Sequence, residues 1–519
     1  MVQLLKPTNL KEEQIAALGG IVGAENVSVA ECDRVVHSRD MWPRTVMWTK
    51  RGYFPHPPDA IVSPQNAEEV SEIMKWASGE KVPIIAYGAG SGVCAGTLPI
   101  KGGIIISMKR MAEIYDIDAE SLICEMGPGI YGEIIERRLE PLGYTMGHYP
   151  SSIYCSTLGG YLAARSAGQV SSRYGKIEDM VVGIEFLLPD GTIHRTLPTP
   201  TGSSRIDWNQ ILIGSEGTLG IITRAWMKIH PLFKHRTFQS YHFANVREGL
   251  DAMRQIMQAG IEPAALRLYD EFDSLVFKTH GDNTDEVEEE KDSLFKRAMS
   301  ETVSQLKKHS LSKVLKRPGF INLAIDKMPG QCLLIVVTEG EKDLAEHDFW
   351  RVRSVCLKAK GKNAGEAPAR YWLEHRHDVS YKQSKIFDSG SWVDTMEVAT
   401  TWDEVGDLYL AVKKAVSSNV FIMAHFSHAY RDGCCIYFSF ASASDTSEAM
   451  EDTYQKVWRD ALKAVHENHG TITHHHGVGL SKGAMLSVEY GELWPLWRKV
   501  KKMIDPELLM NPGKLGEGV

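Results

Sequence analysis

Between residues 55 and 235, short apolar runs alternate with glycine-rich turns. The stretch "PPDAIVSPQNAEEVSEIMKWASGEKVPIIAYGAG" changes period twice, which predicts strand, helix, strand and loop in that order. The runs "GIIIS", "LICEMGPG", "MVVGIEFLLPDG" and "TLGIITRAWMKIHP" predict further strands. From about 236 to 425 the helices lengthen and the glycines thin out. The last hundred residues mix a strand pair with helices around "THHHGVG". No internal repeat is present. The pattern predicts an α+β chain in four parts: a partly helical N-terminal segment (1–54), a glycine- and strand-rich domain (55–235), a cap domain (236–425) and a C-terminal segment (426–519).

One stretch stands apart. Residues from about 282 to 318 are densely charged and read as a mobile insertion. Within it Phe295, Met299, Val303 and Leu306 form a helix-spaced apolar stripe, with Lys296, Arg297, Lys307, Lys308, Lys313, Lys316 and Arg317 around it. Two readings stay open: a surface helix packed on the cap, or a basic gate touching an anionic membrane.

Composition narrows the classes. The chain has 519 residues, with 43% hydrophobic and 24% charged positions, as in ordinary globular proteins. Its 58 basic and 66 acidic residues give a net charge of −8, which argues against wholesale nucleic-acid binding. Eight cysteines without a CxxC pair suggest a reduced, cytoplasmic protein. No run approaches the ~20 apolar residues of a membrane span. The first residues do not resemble a secretory signal, and "GEGV" is no peroxisomal tripeptide.

The candidate chemistry begins at "AYGAGSGVCAG" (86–96), directly after a predicted strand. Gly88, Gly90 and Gly92 permit positive φ and bare the backbone N–H groups that cradle a phosphate; the alternative is a tight glycine turn. No helix with a distal acidic residue follows, so this is not the dinucleotide Rossmann fingerprint. Three further segments share the texture: "HYPSSIYCSTLGGYLAARSAGQVSSRYG" (148–175), "GSEGTLGIIT" (214–223) and "NPGKLG" (511–516).

In this order and spacing the segments resemble the FAD-binding domain of the vanillyl-alcohol oxidase / p-cresol methylhydroxylase flavoproteins. The resemblance implies a two-subdomain FAD-binding domain plus an α+β cap domain with an antiparallel sheet. It implies that Ala86, Tyr87, Gly88, Ala89, Gly90, Ser91 and Gly92 grip the FAD pyrophosphate. Ser151, Ser152, Ile153, Tyr154, Cys155, Ser156 and Thr157 wrap the remainder, with Ala164, Arg165, Ser166 and Ala167. Glu216, Gly217, Thr218, Leu219, Gly220, Ile221 and Ile222 complete the set. No histidine lies in the 86–96 loop to tether flavin, and Cys94 is the one option there, so non-covalent FAD is expected.

Two branches of the family fit. The D-2-hydroxy acid dehydrogenases carry segments like "HxGDGNxH" and "EHGIG", whose histidines and glutamate hold a divalent metal. Here the corresponding stretches read "SHAYRDGCCIYFSF" and "THHHGVG". One imidazole and one carboxylate are gone, which leaves a poor set for a hard cation, and no metal is expected. The replacements resemble the alkylglycerone-phosphate synthases of ether-lipid synthesis, as do "YGKIEDMVV" and "LRLYD". That resemblance implies exchange of an acyl chain on dihydroxyacetone phosphate for a fatty alcohol, without net redox change. "NPGKL" is closer to the dehydrogenase ending, which keeps the second branch open.

The resemblance assigns proton transfer to Tyr437 and anion binding to Arg376, and it singles out Arg267. A phenol with an ordinary pKa of about 10 needs neighbouring cations to act as a base near neutrality. His474, His475, His476 and Arg376 are candidates for that support. The alternatives are ring packing for Tyr437, an ion pair with Asp270 or Glu271 for Arg267, and a buried polar turn or a structural metal for the histidine run. The implied partners are a phosphorylated lipid-like substrate, a fatty alcohol, a second copy of the chain and peripheral contact with a membrane.

Overall fold

The computed structural model describes residues 5–200, 202, 206–274, 277, 315–326, 330–378, 386–387 and 390–516. The chain forms two compact units, Met1–Leu232 with Ile472–Val519, and Phe233–Thr471.

The first unit carries β1 (Val27–Ser28), β2 (Ala60–Val62), β3 (Ile84–Tyr87), β4 (Ile104–Ser107), β5 (Ile114–Asp118), β6 (Ile123–Met126), β7 (Tyr144–Thr145), β8 (Val181–Leu187), β9 (Ile193–Arg195), β10 (Ile221–Lys228) and β11 (His230–Pro231). One sheet has the order β1-β2-β4-β3, with β2, β4 and β3 parallel. Its central strands are short and almost wholly apolar because both faces are covered. The helix Ala67–Glu80 makes the crossover between β2 and β3. Asn66 caps it by accepting the Glu69 N–H at 2.8 Å, and Val70, Ile73, Met74 and Ala77 turn one face into the core. Lys81, at φ 56, ends it in the left-handed conformation.

The second sheet, β5-β6-β10-β8-β9, is antiparallel. In β10 burial alternates strictly: Ile221, Thr223, Ala225 and Met227 face inward. A two-subdomain FAD-binding unit was expected from 55 to 235. The two sheets are there, but residues 1–54 are not a separate segment. β1 pairs with β2, and Leu10, Leu18 and Val22 share one core with Val62, Ile84 and Ile104.

The second unit is built on β12 (His235–Phe243), β13 (Ala265–Tyr269), β14 (Cys332–Gly340), β15 (Lys362–Gly365), β16 (Ser391–Thr401), β17 (Phe421–Ala429) and β18 (Gly433–Ala443). They form one antiparallel sheet of order β15-β12-β14-β13-β17-β18-β16. The helices Val246–Gln258, Lys342–Lys358 and Ala367–His375 pack against it. The boundary expected at 425 falls inside β17. That strand is hydrogen-bonded to β13 and to β18, so cutting there would split the sheet, and the unit continues to Thr471. The expected charged insertion lies outside the described residues apart from its last few positions. Among these, Lys316 pairs with Asp445.

Candidate active site

In the first unit, the glycine loop leaves β3 and meets the other predicted segments. Gly88 lies against Thr157, the residue opening the helix Leu158–Ala164, and a methyl group there would overlap Thr157 Oγ1. Gly90 has φ +68 and passes so close to the Tyr87 hydroxyl that no side chain fits. The Gly92 carbonyl accepts the Met41 N–H at 2.8 Å, which brings Asp40 under the loop.

Glu216 joins four of these segments. It is a non-glycine residue at φ 50, and its N–H donates to the Ala163 carbonyl at 3.1 Å. Its carboxylate accepts the N–H groups of Val478, at 2.6 Å, and Gly479, at 2.9 Å. The Glu216 carbonyl accepts from Asn511 Nδ2 at 2.7 Å, and the same amide donates to the Gly96 carbonyl at 2.8 Å. Lys514 Nζ donates to the Leu98 carbonyl at 2.6 Å. Burial lowers Lys514 to about 8 against the pull of Asp40 and Glu216, so it stays largely charged at neutrality.

The histidine run is therefore a pinned turn beside the glycine loop. Val478 and Gly479 are held by Glu216, and the His474 carbonyl accepts from Lys176 Nζ at 2.7 Å. His474 and His475 lie with their Nδ1 atoms 2.9 Å apart, and the His475 and His476 rings meet edge-on at 4.6 Å.

These residues fit a dinucleotide flavin. The loop is a cradle that side chains would fill. Among the described residues, Thr157 Oγ1 and Asp40 Oδ2 are buried without a hydrogen-bond partner, a state proteins rarely leave unfilled. Burial raises the Asp40 carboxyl to about 7, so near neutrality it is as much donor as acceptor. Gly88 meets Thr157, Gly217 lies near Ala86 and Glu216 bonds Ala163, so the glycine loop, the Leu158–Ala164 helix start and the 214–220 loop lie together in the first unit.

The other predicted residues belong to the second unit. Register places Tyr269 (β13), His425 (β17), Tyr437 (β18) and Glu397 (β16) in one row across the sheet. Burial pushes the Tyr437 phenol up to about 12, although a hydrogen bond with Thr395 and the Arg267 charge pull it down. Arg267 does not take up the ion pair with Asp270 or Glu271 that was its alternative reading. It donates from Nη2 to His425 Nε2 at 2.7 Å and lies 5.2 Å over the Tyr269 ring. Arg376 sits at the end of the helix Ala367–His375 and donates to the Leu373 carbonyl. The predicted set thus divides between the units: Tyr437, Arg267 and Arg376 in the second, His474 to His476 in the first.

Several residues were not singled out from the sequence: Asp40, Asp273, His425 and, within a quoted motif, Asn511 and Lys514. Asp40 has a legible signal, an acid in the aromatic run "RDMWPRTVMW". Asp273 and His425 have none, because their partners come from other strands.

A glycine cradle, an N-terminal α/β sheet and an antiparallel cap define the class: an FAD-dependent flavoprotein. The profile of the FAD binding domain matches residues 58–197, and that of the C-terminal domain of FAD linked oxidases matches 232–515. The chain belongs to the FAD-linked oxidase family, and its cofactor is FAD. It is 28% identical to alkyldihydroxyacetonephosphate synthase of Trypanosoma brucei brucei, over 99% of this chain and 82% of the relative. With the synthase of Dictyostelium discoideum it shares 30%, over 93% and 77%. A solved alkyldihydroxyacetonephosphate synthase structure superposes with a TM-score of 0.77 at 26% identity, covering 98% of this chain and 87% of the other.

Proposed function

We propose that this chain exchanges the acyl group of acyl-dihydroxyacetone phosphate for a fatty alcohol, with FAD held non-covalently. The likeness to the synthases over nearly the whole chain supports this reading. The observation that carries it is the Tyr437 phenol, set in a polar row beside Arg267 and His425. Exchange without net oxidation needs a proton removed next to a ketone, and a phenol can move it if cations favour the phenolate. Bound FAD supplies an electron-poor ring system for the substrate carbon. Tyr437 would take and return the proton, Arg376 would hold the phosphate through its guanidinium fork, and His474 to His476 would shape the flavin side. Peripheral membrane contact and a homodimer remain part of the proposal; no described helix is long and apolar enough to cross a membrane.

The test is a paired assay on FAD-loaded protein: alcohol-for-acyl exchange against dye reduction by a panel of D-2-hydroxy acids. Exchange without dye reduction is the expected result; the reverse would hand the chain to the dehydrogenase branch. Tyr437→Phe should keep its flavin and lose about 10²–10⁴-fold in exchange rate.

A further inference from the structure

The reading above gives His425 no chemical role, yet both of its ring nitrogens are engaged. It is 6% exposed, on β17 between β13 and β18. Arg267 Nη2 lies 2.7 Å from Nε2. A guanidinium has no acceptor, so Nε2 accepts and the ring proton sits on Nδ1. That nitrogen faces Asp273 Oδ2 at 3.2 Å. Burial, with the Arg267 charge, holds His425 well below the usual imidazole range, so the ring is neutral and its tautomer fixed. Its flat face lies on the Tyr437 ring, centroids 4.7 Å apart and planes 16° from parallel. Among the described residues, Arg267, Tyr269, His425 and Glu397 lie in or beside the Tyr437 row, the Asp394 charge also acts on the phenol, and Asp273 lies behind the histidine.

We infer that His425 is a positioning residue for Tyr437: bridged between Arg267 and Asp273, it fixes the phenol ring against its own face and keeps the guanidinium beside it. The role rests on the proposal that Tyr437 moves the proton. Packing alone would need only a flat ring. A histidine tied at both nitrogens cannot turn about its Cβ–Cγ bond, so the surface it offers Tyr437 is locked by hydrogen bonds as well as by shape. The same bridge holds Arg267, which acts against the effect of burial on the phenol. Without the bridge both the ring and the charge are released.

A double-mutant cycle tests this, with flavin content and thermal midpoint checked for each variant. His425→Phe keeps a flat ring and removes the bridge. It should lower kcat by about 10²-fold, the scale of loss from a small misplacement, with KM nearly unchanged. In the Tyr437→Phe background the same change should cost nothing further. His425→Gln can accept from Arg267 and donate to Asp273 but offers no ring, and it should retain more kcat than His425→Phe. Equal losses in both backgrounds, or His425→Phe outperforming His425→Gln, would overturn the positioning role and leave the Tyr437 reading intact. Full activity in Tyr437→Phe would overturn that reading, and this inference with it. If His425→Phe fails to hold flavin, His425→Gln takes its place in the cycle and faces the same additivity criterion.

Discussion

Two buried histidines outside the conspicuous run show how environment decides what an imidazole does. His425 is bridged at both nitrogens. His148 is fully buried with Nε2 3.2 Å from Ser166 Oγ, and among the described residues its Nδ1 has no partner. Burial lowers it to about 3, with Lys176 adding to the effect. Its folded pKa thus lies below the unfolded value near 6.5, so its contribution to stability is complete above about 6.5 and is lost as pH falls toward 3. For this one group the loss is about 1.4 kcal/mol per pH unit within that window. The stability advantage of the wild type over His148→Gln, measured by urea unfolding, should therefore shrink from pH 7 to pH 5. A constant difference would mean that His148 charges freely in the folded state. Sequence drew attention to His474–His476 because three adjacent imidazoles are conspicuous. His148 stands alone among apolar and hydroxyl residues, His425 shares its stretch only with His428, and the partner that defines His425 lies 158 positions away.

Elements were legible where periodicity is strong. The helix Ala67–Glu80 shows its cap, its acidic first turn and its apolar face in sequence, and β10 shows a clean alternation. The 425 boundary misled because texture changes there while hydrogen bonding does not: β17 and β18 complete a sheet begun nearly two hundred residues earlier. The helix Trp494–Ile504 carries a feature no pattern exposes. Lys501, 1% exposed, donates to the Thr218 carbonyl at 2.6 Å and pairs with Asp505 at 2.5 Å. It fastens this helix to the 214–220 loop. Lys501→Met leaves the Asp505 carboxylate buried without its cation, and should destabilise the protein by about 3–5 kcal/mol in urea unfolding. Adding Asp505→Asn should recover part of that loss, since the two residues act as one unit. A strictly additive double variant would separate them.

At the scale of the whole molecule, the cofactor site was legible as a set of segments but not as a construction. The four glycine-rich stretches were visible because close backbone approach demands small residues. What clamps them was not, because Glu216, Asn511 and Lys514 act through backbone atoms far along the chain. Non-covalent FAD predicts that acid precipitation releases the chromophore into the supernatant; yellow protein in the pellet would point to a tether such as Cys94. The chain leaves the first unit at Leu232 and returns to it only at Ile472. During synthesis the ribosome makes the glycine cradle well before Asn511, which binds both the Gly96 and the Glu216 carbonyls. Cofactor capture is thereby postponed until the ribosome has passed Asn511, and a chain released before that point is also one that cannot load. A chain stopped after Leu509 should emerge colourless even if its cap domain folds, so that flavin content reports, molecule by molecule, whether translation passed Asn511.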